Sequence, residues 1–223
     1  HLESMGSWPR DRFHLQLSID GTESSHDRVR GPGSFEKIRS SVKSLRTNGF
    51  DVTYSMAVTA ANVDDMKTVV ELAAEDGATN VHYLWTVMRG RAKARDFVDP
   101  GRLFENLRIA SERGVELGVS VDNVDSLRQQ VFTPVGTIID GTNAAWESLA
   151  VGVDRQLYPT PAMVAVEELA TPINGSLERA WKTGSALERV RALTVDGQSS
   201  PLRHLTGGGD LDHAYFGGGQ LGG

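Results

Sequence analysis

The chain has 223 residues, 39% of them apolar, with a formal net charge of −6 and no cysteine. That length fits one domain, or one domain with a small appendage, and is enough to bury a substantial core. Without thiols this chain has no disulfides, thiolate zinc sites, cysteine-held iron–sulfur clusters or cysteine nucleophiles, and its acidic balance gives no electrostatic footprint for nucleic acid.

No apolar run reaches the roughly eighteen residues of a membrane span. The absence of cysteine is silent on redox compartment, so the cytoplasm is the default expectation. His1–Ser7 has neither an apolar core nor a cleavage pattern and reads as a tag remnant, with residues 1–13 as a leader outside the fold.

From His14 onward strand-like and helix-like stretches alternate. "HLQLSI" alternates polar and apolar residues as a strand, then breaks at Asp20-Gly21 into a loop of Gly, Ser and charge. A helix is predicted from an N-cap at Ser34 to Asn48-Gly49, with Phe35, Ile38, Val42 and Leu45 on one face. Asp51–Thr59 is the next strand. A second helix is predicted from Asn62 to Gly77, carrying Met66, Val69, Val70 and Ala73 inward. Asn80–Thr86 is the third strand. The third helix opens with Asp99-Pro100 and is predicted to stop at Gly114, before a strand over Glu116–Asp122. This order implies parallel strands with right-handed crossovers.

The strand faces narrow the architecture. Leu15, Leu17 and Ile19 oppose His14, Gln16, Ser18 and Asp20; Val52, Tyr54, Met56 and Val58 oppose Thr53, Ser55, Ala57 and Thr59. A flat sheet covered on both sides reads as continuous apolar runs instead. The pattern suits a curved, mostly parallel α/β half barrel of the TIM type over residues 14–122, with a polar concave side for a ligand. Ser18 and Asp20 then face that side, or form only a strand-end cap and turn.

Beyond residue 123 the texture becomes irregular. Asp125–Val131 reads as a short helix, and Thr133–Gly136 and Asp140–Asn143 as loops. Ser148–Thr160 reads as a hairpin turning at Asp154-Arg155, and Ser176–Thr183 and Ser185–Leu193 as short helices. The expectation is a small irregular hairpin and helix appendage over residues 123–216, then a Gly-rich tail over 217–223. His26-Asp27, His204, and His213 with Asp210 and Asp212 in "GGGDLDHAYF" are metal-ligand types, but without a second His at ligand spacing the last stretch reads as a glycine-flanked acidic turn rather than a metal site. Gly207–Gly209 lacks the flanking strand and Lys-Ser/Thr of a phosphate loop. Arg89–Arg95 reads as a solvated basic loop, and Trp85, Trp146 and Trp181 as packing residues.

Several stretches together resemble a known family. "LQLSIDG…HDRVRGPGSFEKI", "VTYSMAVTAANVDDM" and "VHYLWTVMRGRA" resemble the fourth to sixth strand regions of radical S-adenosylmethionine enzymes. "ESLAVGVDRQLYPTP" and "SLERAWKTGSALERVR" resemble the SPASM-type extension of the peptide-modifying branch. The likeness spans residues 14–216. It implies that Ser18, Asp20, Arg30 and Asn62 contact the methionine and ribose parts of S-adenosylmethionine, a zwitterion suited to an Arg and a hydroxyl. Asn62 also reads as a plain helix N-cap, and Arg30 as a solvated loop charge.

The departures are as informative. The family's CxxxCxxC loop is not in this chain, and Thr160 and Ser199 or Ser200 stand at expected thiol positions of the extension, with another in Asp140–Asn143. The resemblance thus implies a fragment or cysteine-free form of a peptide maturase. Its parent family uses an iron–sulfur cluster and a 5′-deoxyadenosyl radical, but no cluster is expected here. S-Adenosylmethionine binding is expected to be weak or absent, with no catalytic or metal-ligating residue assigned. Expected partners are a peptide substrate in the parent family and a homodimer through the edge strand, with no nucleic acid or membrane. The rival reading is a non-catalytic binding module that pairs with a peptide, or with itself, through the sheet edge at His14–Ile19.

Overall fold

The computed structural model describes residues 8–125, 144–146, 148–193 and 210–218. The chain divides into two compact units, His1–Thr86 with Lys93–Ser126, and Val87–Ala92 with Leu127–Gly223.

The first unit is a four-stranded parallel sheet in the order β1-β2-β3-β4, with β1 His14–Ser18, β2 Asp51–Val58, β3 Asn80–Trp85 and β4 Ser120–Val121. Its helices are α1 Glu23–Arg30, α2 Ser34–Thr47, α3 Met66–Asp76 and α4 Pro100–Leu117. The predicted alternation sets the core. Val52, Tyr54, Met56 and Val58 of β2 are buried with Val42 of α2 and Met66, Val69, Val70 and Ala73 of α3. Full burial of such a side chain contributes about 1.5–3 kcal/mol.

Four expectations need correction. The stretch after Gly21 is not a loop: Glu23–Arg30 is helical although it has no apolar stripe. Asp65, from the turn before α3, holds its start, its Oδ2 accepting the Thr22 N–H at 3.2 Å. Gly21 has φ +117°, and a Cβ there would lie 2.4 Å from Asp65 Oδ2, so only glycine passes this point.

The N-cap position of α2 is Gly33, not Ser34. Asp27 supplies the missing acceptor from α1: its carboxylate takes the Gly33 N–H at 2.6 Å, the Phe35 N–H at 2.9 Å and the Ser34 hydroxyl at 3.0 Å. The Phe35 bond is the largest of the influences that hold its carboxyl below the usual range.

The second helix does not start at Asn62. A 3-10 turn, Val63–Asp65, precedes Met66, and the Asn62 side chain does not cap it.

The fourth correction concerns Gly114. α4 runs through it to Leu117, and the following strand is only Ser120–Val121. A Cβ on Gly114 would sit 2.6 Å from the Val119 carbonyl oxygen, so this glycine permits the return of the chain against the helix. The stop is Gly118, left-handed at φ +69°. Asp99 caps the other end as predicted, accepting the Arg102 N–H at 3.1 Å.

The second unit holds a small antiparallel sheet, β5 Ala150–Val151, β6 Gln156–Tyr158 and β7 Thr171–Pro172, with α5 Leu177–Thr183 and α6 Ser185–Arg191. The hairpin turns where expected, with Arg155 left-handed at φ 61°. The "GGGDLDHAYF" stretch is not an acidic turn alone, because Leu211–Gly218 forms helix α7. Leu211 is buried, and Asp210 Oδ1 accepts the His213 N–H at 2.9 Å. The predicted tail therefore begins inside a helix at Gly217. Trp146 is 45% exposed rather than packed, whereas Trp181 is partly buried and lies under the Arg191 guanidinium. Residues 122–125 are helical, but the rest of the predicted 125–131 helix and the loops at 133–136 and 140–143 lie outside the described residues, as do Ser199, Ser200, His204 and Gly207–Gly209.

One ionic cluster pins the helices to the sheet. Asp76, whose side chain is fully buried, receives Arg39 Nε at 2.7 Å, the Tyr54 hydroxyl at 2.6 Å and Lys43 Nζ at 3.1 Å. Burial works to raise its carboxyl, but these partners outweigh it and hold it low. Removing one side of a buried pair strands the other. Asp76→Ala is expected to lose about 3 kcal/mol or more in urea denaturation. Because the folded carboxyl titrates lower than the unfolded one, wild-type stability from this group is present above the ordinary Asp range, about pH 4, and declines as pH falls through the folded value. Asp76→Asn should flatten that part of the stability–pH curve.

Candidate functional site

Strands β1 and β2 run parallel with Ser18 beside Ser55, so the segments leaving their C-terminal ends meet. Asp20 sits at that meeting point and is 2% exposed. Its Oδ1 accepts the Ala57 N–H at 3.1 Å, and its Oδ2 accepts Arg30 Nε at 2.6 Å. Its own N–H donates to His26 Nδ1 at 3.0 Å, and its carbonyl accepts Asn62 Nδ2 at 3.1 Å. Each backbone and side-chain polar group of Asp20 is thereby engaged.

Asn62 is equally committed. Its amide nitrogen also donates to the Ala57 carbonyl at 3.0 Å, and its Oδ1 accepts the Thr59 N–H at 2.7 Å and the Thr59 hydroxyl at 3.0 Å. Neither end of the amide is left for a ligand, so Asn62 fastens the β2 exit to the Asp20 turn.

Arg30 differs. Its side chain is 42% exposed, and Asp20 engages only Nε. The terminal guanidinium nitrogens have no protein partner among the described residues. That geometry leaves a fork of donors, oriented from behind, open to an anionic group. Ser18 is half-buried, and its hydroxyl also lacks a protein partner among the described residues. Asp20 bonds directly to Arg30 and to Asn62, and Ser18 lies two residues before it; the four divide in kind, Ser18 and Arg30 keeping open hydrogen-bonding groups while Asp20 and Asn62 bind the frame. The open guanidinium nitrogens of Arg30 are donors of the kind a carboxylate accepts.

Two contributors escaped the sequence reading. His26, considered there only as a metal ligand, is fully buried and accepts the Asp20 N–H through Nδ1, which places its proton on Nε2. Desolvation, the largest influence, depresses its pKa; the Asp20 charge opposes and the Arg30 charge adds to the depression. Asp65 holds the Gly21-Thr22 turn from the other side. No spacing rule links position 20 to positions 26 and 65.

The expected thiol position Thr160 is buried in the second unit, donating to Asp212 Oδ1 at 2.5 Å and accepting the Met163 N–H at 3.3 Å. Among the described residues no group of three or more His, Asp or Glu side chains is placed to hold a metal ion. With no cysteine anywhere in the 223 residues, an iron–sulfur cluster finds no thiolate ligand in this chain. Among the described residues no helix is long and apolar enough to cross a membrane.

Comparison with known proteins gives this arrangement its context. No protein-family model matches the chain. Over 88 residues it is 35% identical to the AdoMet-dependent heme synthase of Methanosarcina barkeri, covering 39% of this chain and 25% of that protein. Over 79 residues it is 34% identical to the sporulation killing factor maturation protein SkfB of Bacillus subtilis, 35% of this chain and 19% of that one. Over 71 residues it is 39% identical to the mycofactocin maturase MftC of Mycolicibacterium smegmatis, 31% and 18% of the two chains. The solved structure of native anSMEcpe with bound AdoMet superposes on 91% of this chain and 59% of its own with a TM-score of 0.69 at 15% identity. Over these partial stretches the chain is similar to radical S-adenosylmethionine enzymes. A second structure, native anSMEcpe with bound AdoMet and Kp18Cys peptide, covers 94% of this chain and 63% of its own with a TM-score of 0.70 at 14% identity. At that identity the likeness concerns the fold, a partial radical S-adenosylmethionine barrel with a small antiparallel C-terminal sheet. The matches span a quarter or less of the curated relatives' length.

Two outcomes follow from the Asp20 turn. Asn62→Ala strips partners from the Asp20 and Ala57 carbonyls and the Thr59 amide, and is expected to cost about 2–3 kcal/mol in chemical denaturation, at the scale of an abandoned buried polar group. Below about pH 6.5 an unfolded His takes up a proton that buried His26 resists, so stability declines as pH falls from there toward the lower folded value. His26→Gln should remove that decline, measured by urea titrations across the range.

Proposed function

We propose that this chain is a fragment or cysteine-free form of a radical S-adenosylmethionine peptide-modifying enzyme, and that it does not carry out radical chemistry by itself. The observation that carries the reading is the Arg30 fork, backed by Asp20, at the end of a sheet similar in fold to barrels solved with AdoMet and peptide. In this reading Arg30 receives the methionine carboxylate and Ser18 a neighbouring polar group. Asp20 and Asn62 act as positioning residues, a narrower role than direct contact. The peptide occupies the polar face of the sheet, and the protein works in the cytoplasm. Bound S-adenosylmethionine supplies a sulfonium whose reductive cleavage needs an electron from a cluster, for which these residues provide no thiolate.

A second reading is favoured by the sheet order. Among the described residues β1 pairs only with β2, so its other edge offers unpaired backbone groups to a second copy or a peptide. Elution as a dimer on a sizing column, abolished by a proline at the exposed edge, supports that reading, and elution as a monomer at all concentrations removes it.

Two measurements test the leading reading. Without cluster chelation, a few hydrogen bonds of about 1 kcal/mol each compete with several kcal/mol of lost freedom, which gives a dissociation constant of about 1 mM or weaker. Calorimetry should show that weak binding and its loss in Arg30→Ala; binding indifferent to Arg30 removes this residue from the site. Anaerobic reconstitution with iron and sulfide should give no broad absorbance near about 400 nm, the thiolate-to-iron charge-transfer region. A brown, cluster-bearing chain contradicts the proposal.

A further inference from the structure

The polar face of the sheet carries side chains that the Arg30 site does not use. By strand register Ser18, Ser55 and His82 stand side by side across β1, β2 and β3, and Gln16, Thr53, Asn80 and Ser120 form the adjacent row. At the β4 end, His82 Nδ1 lies 2.7 Å from Asp122 Oδ1, and Asn80 Nδ2 donates to Asp122 Oδ2 at 3.2 Å and to Thr53 Oγ1 at 3.0 Å. The carboxylate fixes both neighbours. Only the amide nitrogen of Asn80 can donate to it, and the imidazole turns its Nδ1–H toward it, so a neutral ring presents a lone pair at Nε2.

Two atoms in this group are left over. Among the described residues Asn80 Oδ1 and Ser55 Oγ are buried without a hydrogen-bond partner, and Ser55 as a residue is 3% exposed. Buried polar atoms in native proteins nearly always have partners, so these two call for one, an ordered water or a bound group. The surroundings state what that group must bring. Asn80 Oδ1 can only accept, and the Asp122 carboxylate, which takes hydrogen bonds from His82, Asn80 and the Asn123 backbone, is an acceptor too. Among the described residues the one ion pair of Asp122 is with His82, and no Lys or Arg neutralises it. Burial works to raise the Asp122 carboxyl, but the hydrogen bonds from His82 and Asn80 prevail and keep it ionised near neutral pH. Both His82 and Asp122 remain about one-third exposed, at 33% and 38% of their side-chain surfaces, so the group is reachable.

We propose that Ser55, Asn80, His82 and Asp122 form a recognition site for a cationic side chain of a peptide, an ammonium or guanidinium that donates several hydrogen bonds at once. The proposal deepens the peptide-facing reading of the sheet and rests on it. It assigns a substrate preference, for a Lys or Arg near the modified position, that the Arg30 site does not address.

The test uses the full chain with labelled histidine, and Nα-acetyl-lysine amide and Nα-acetyl-arginine amide as probes. At least one of them should shift the His82 imidazole resonances saturably, with His82→Gln used for assignment, whereas Nα-acetyl-norleucine amide, which keeps the stem and lacks the charge, should not. Asp122→Asn should weaken the response about tenfold, the scale of one charge-assisted hydrogen bond. Ser55→Ala should weaken it too while circular dichroism stays unchanged, and this small substitution carries the test if Asp122→Asn fails to fold. A His82 signal indifferent to both cations, an equal response to norleucine amide, or binding unchanged in Ser55→Ala and Asp122→Asn overturns the proposal and leaves ordered water as the partner of the orphan atoms. S-Adenosylmethionine titrated into the same samples and read at the His26 imidazole, which sits behind Asp20 and Arg30, separates the failures. A His26 response to S-adenosylmethionine with no His82 response to the cationic amides removes this site alone, and silence in both titrations removes the parent reading.

Discussion

The buried carboxylate of Asp20 is the constraint on which the ligand-facing end of the first unit depends. It lies where β1 ends, yet its partners come from the far side of α1, from the β2 exit and from the turn before α3. A carboxylate this buried is tolerable only when its charge and lone pairs are met, and here an Arg and a backbone N–H meet them. The same bonds that make its burial affordable fix where Arg30 projects. Structural and functional demands therefore coincide in one side chain, which is why loss of Asp20 partners should disturb both stability and the donor fork.

The division of each strand into two faces extends this logic across the sheet. One face of β2 presents Val52, Tyr54, Met56 and Val58 to the helices, and these fill the core. The other presents Thr53 and Ser55, flanked by Gln16 and Ser18 on one side and Asn80 and His82 on the other. A polar face costs hydrophobic stabilisation, and the helix side compensates with a tightly joined cluster around Asp76 in which Tyr54 takes part. Among the described residues the Ser55 hydroxyl and the Asn80 carbonyl oxygen find no protein partner on this face. Its chemistry is asymmetric, with cationic donors at the Arg30 end and acceptors at the His82–Asp122 end.

What the sequence makes legible follows from the range of the interactions involved. Period-two strands and the faces of α2, α3 and α4 are local signals, and the parallel order follows from their alternation with helices. Asp99 was readable as a cap because a cap acts three residues away. α1 was not readable: "ESSHDRVR" has no apolar stripe, and Asp65, 43 residues from Thr22, holds its start. Gly114 misled because glycine has two uses, and here close approach to Val119 rather than a left-handed stop explains it. The resemblance singles out Ser18, Asp20, Arg30 and Asn62 as ligand contacts, but says nothing of the bonds by which Asp20 holds Arg30 and Asn62. That Asn62 spends its whole amide on the frame depends on three-dimensional reach, as does the role of His26. The His82–Asp122 pair was invisible for the same reason, since 40 residues separate two side chains 2.7 Å apart.

The central claim is that the C-terminal ends of β1 and β2, organised by Asp20, form a small-zwitterion site in a chain that carries no thiolate. Amide chemical-shift mapping of the 15N-labelled chain titrated with S-adenosylmethionine tests it most directly, because the method registers weak binding and reports its place. The account predicts saturable shifts concentrated at Ser18–Thr22, Ala57–Asn62 and the Arg30 side-chain Nε, with the second unit unaffected. Shifts confined to the second unit, or none at concentrations well above about 1 mM, where a site of this strength would be occupied, contradict it.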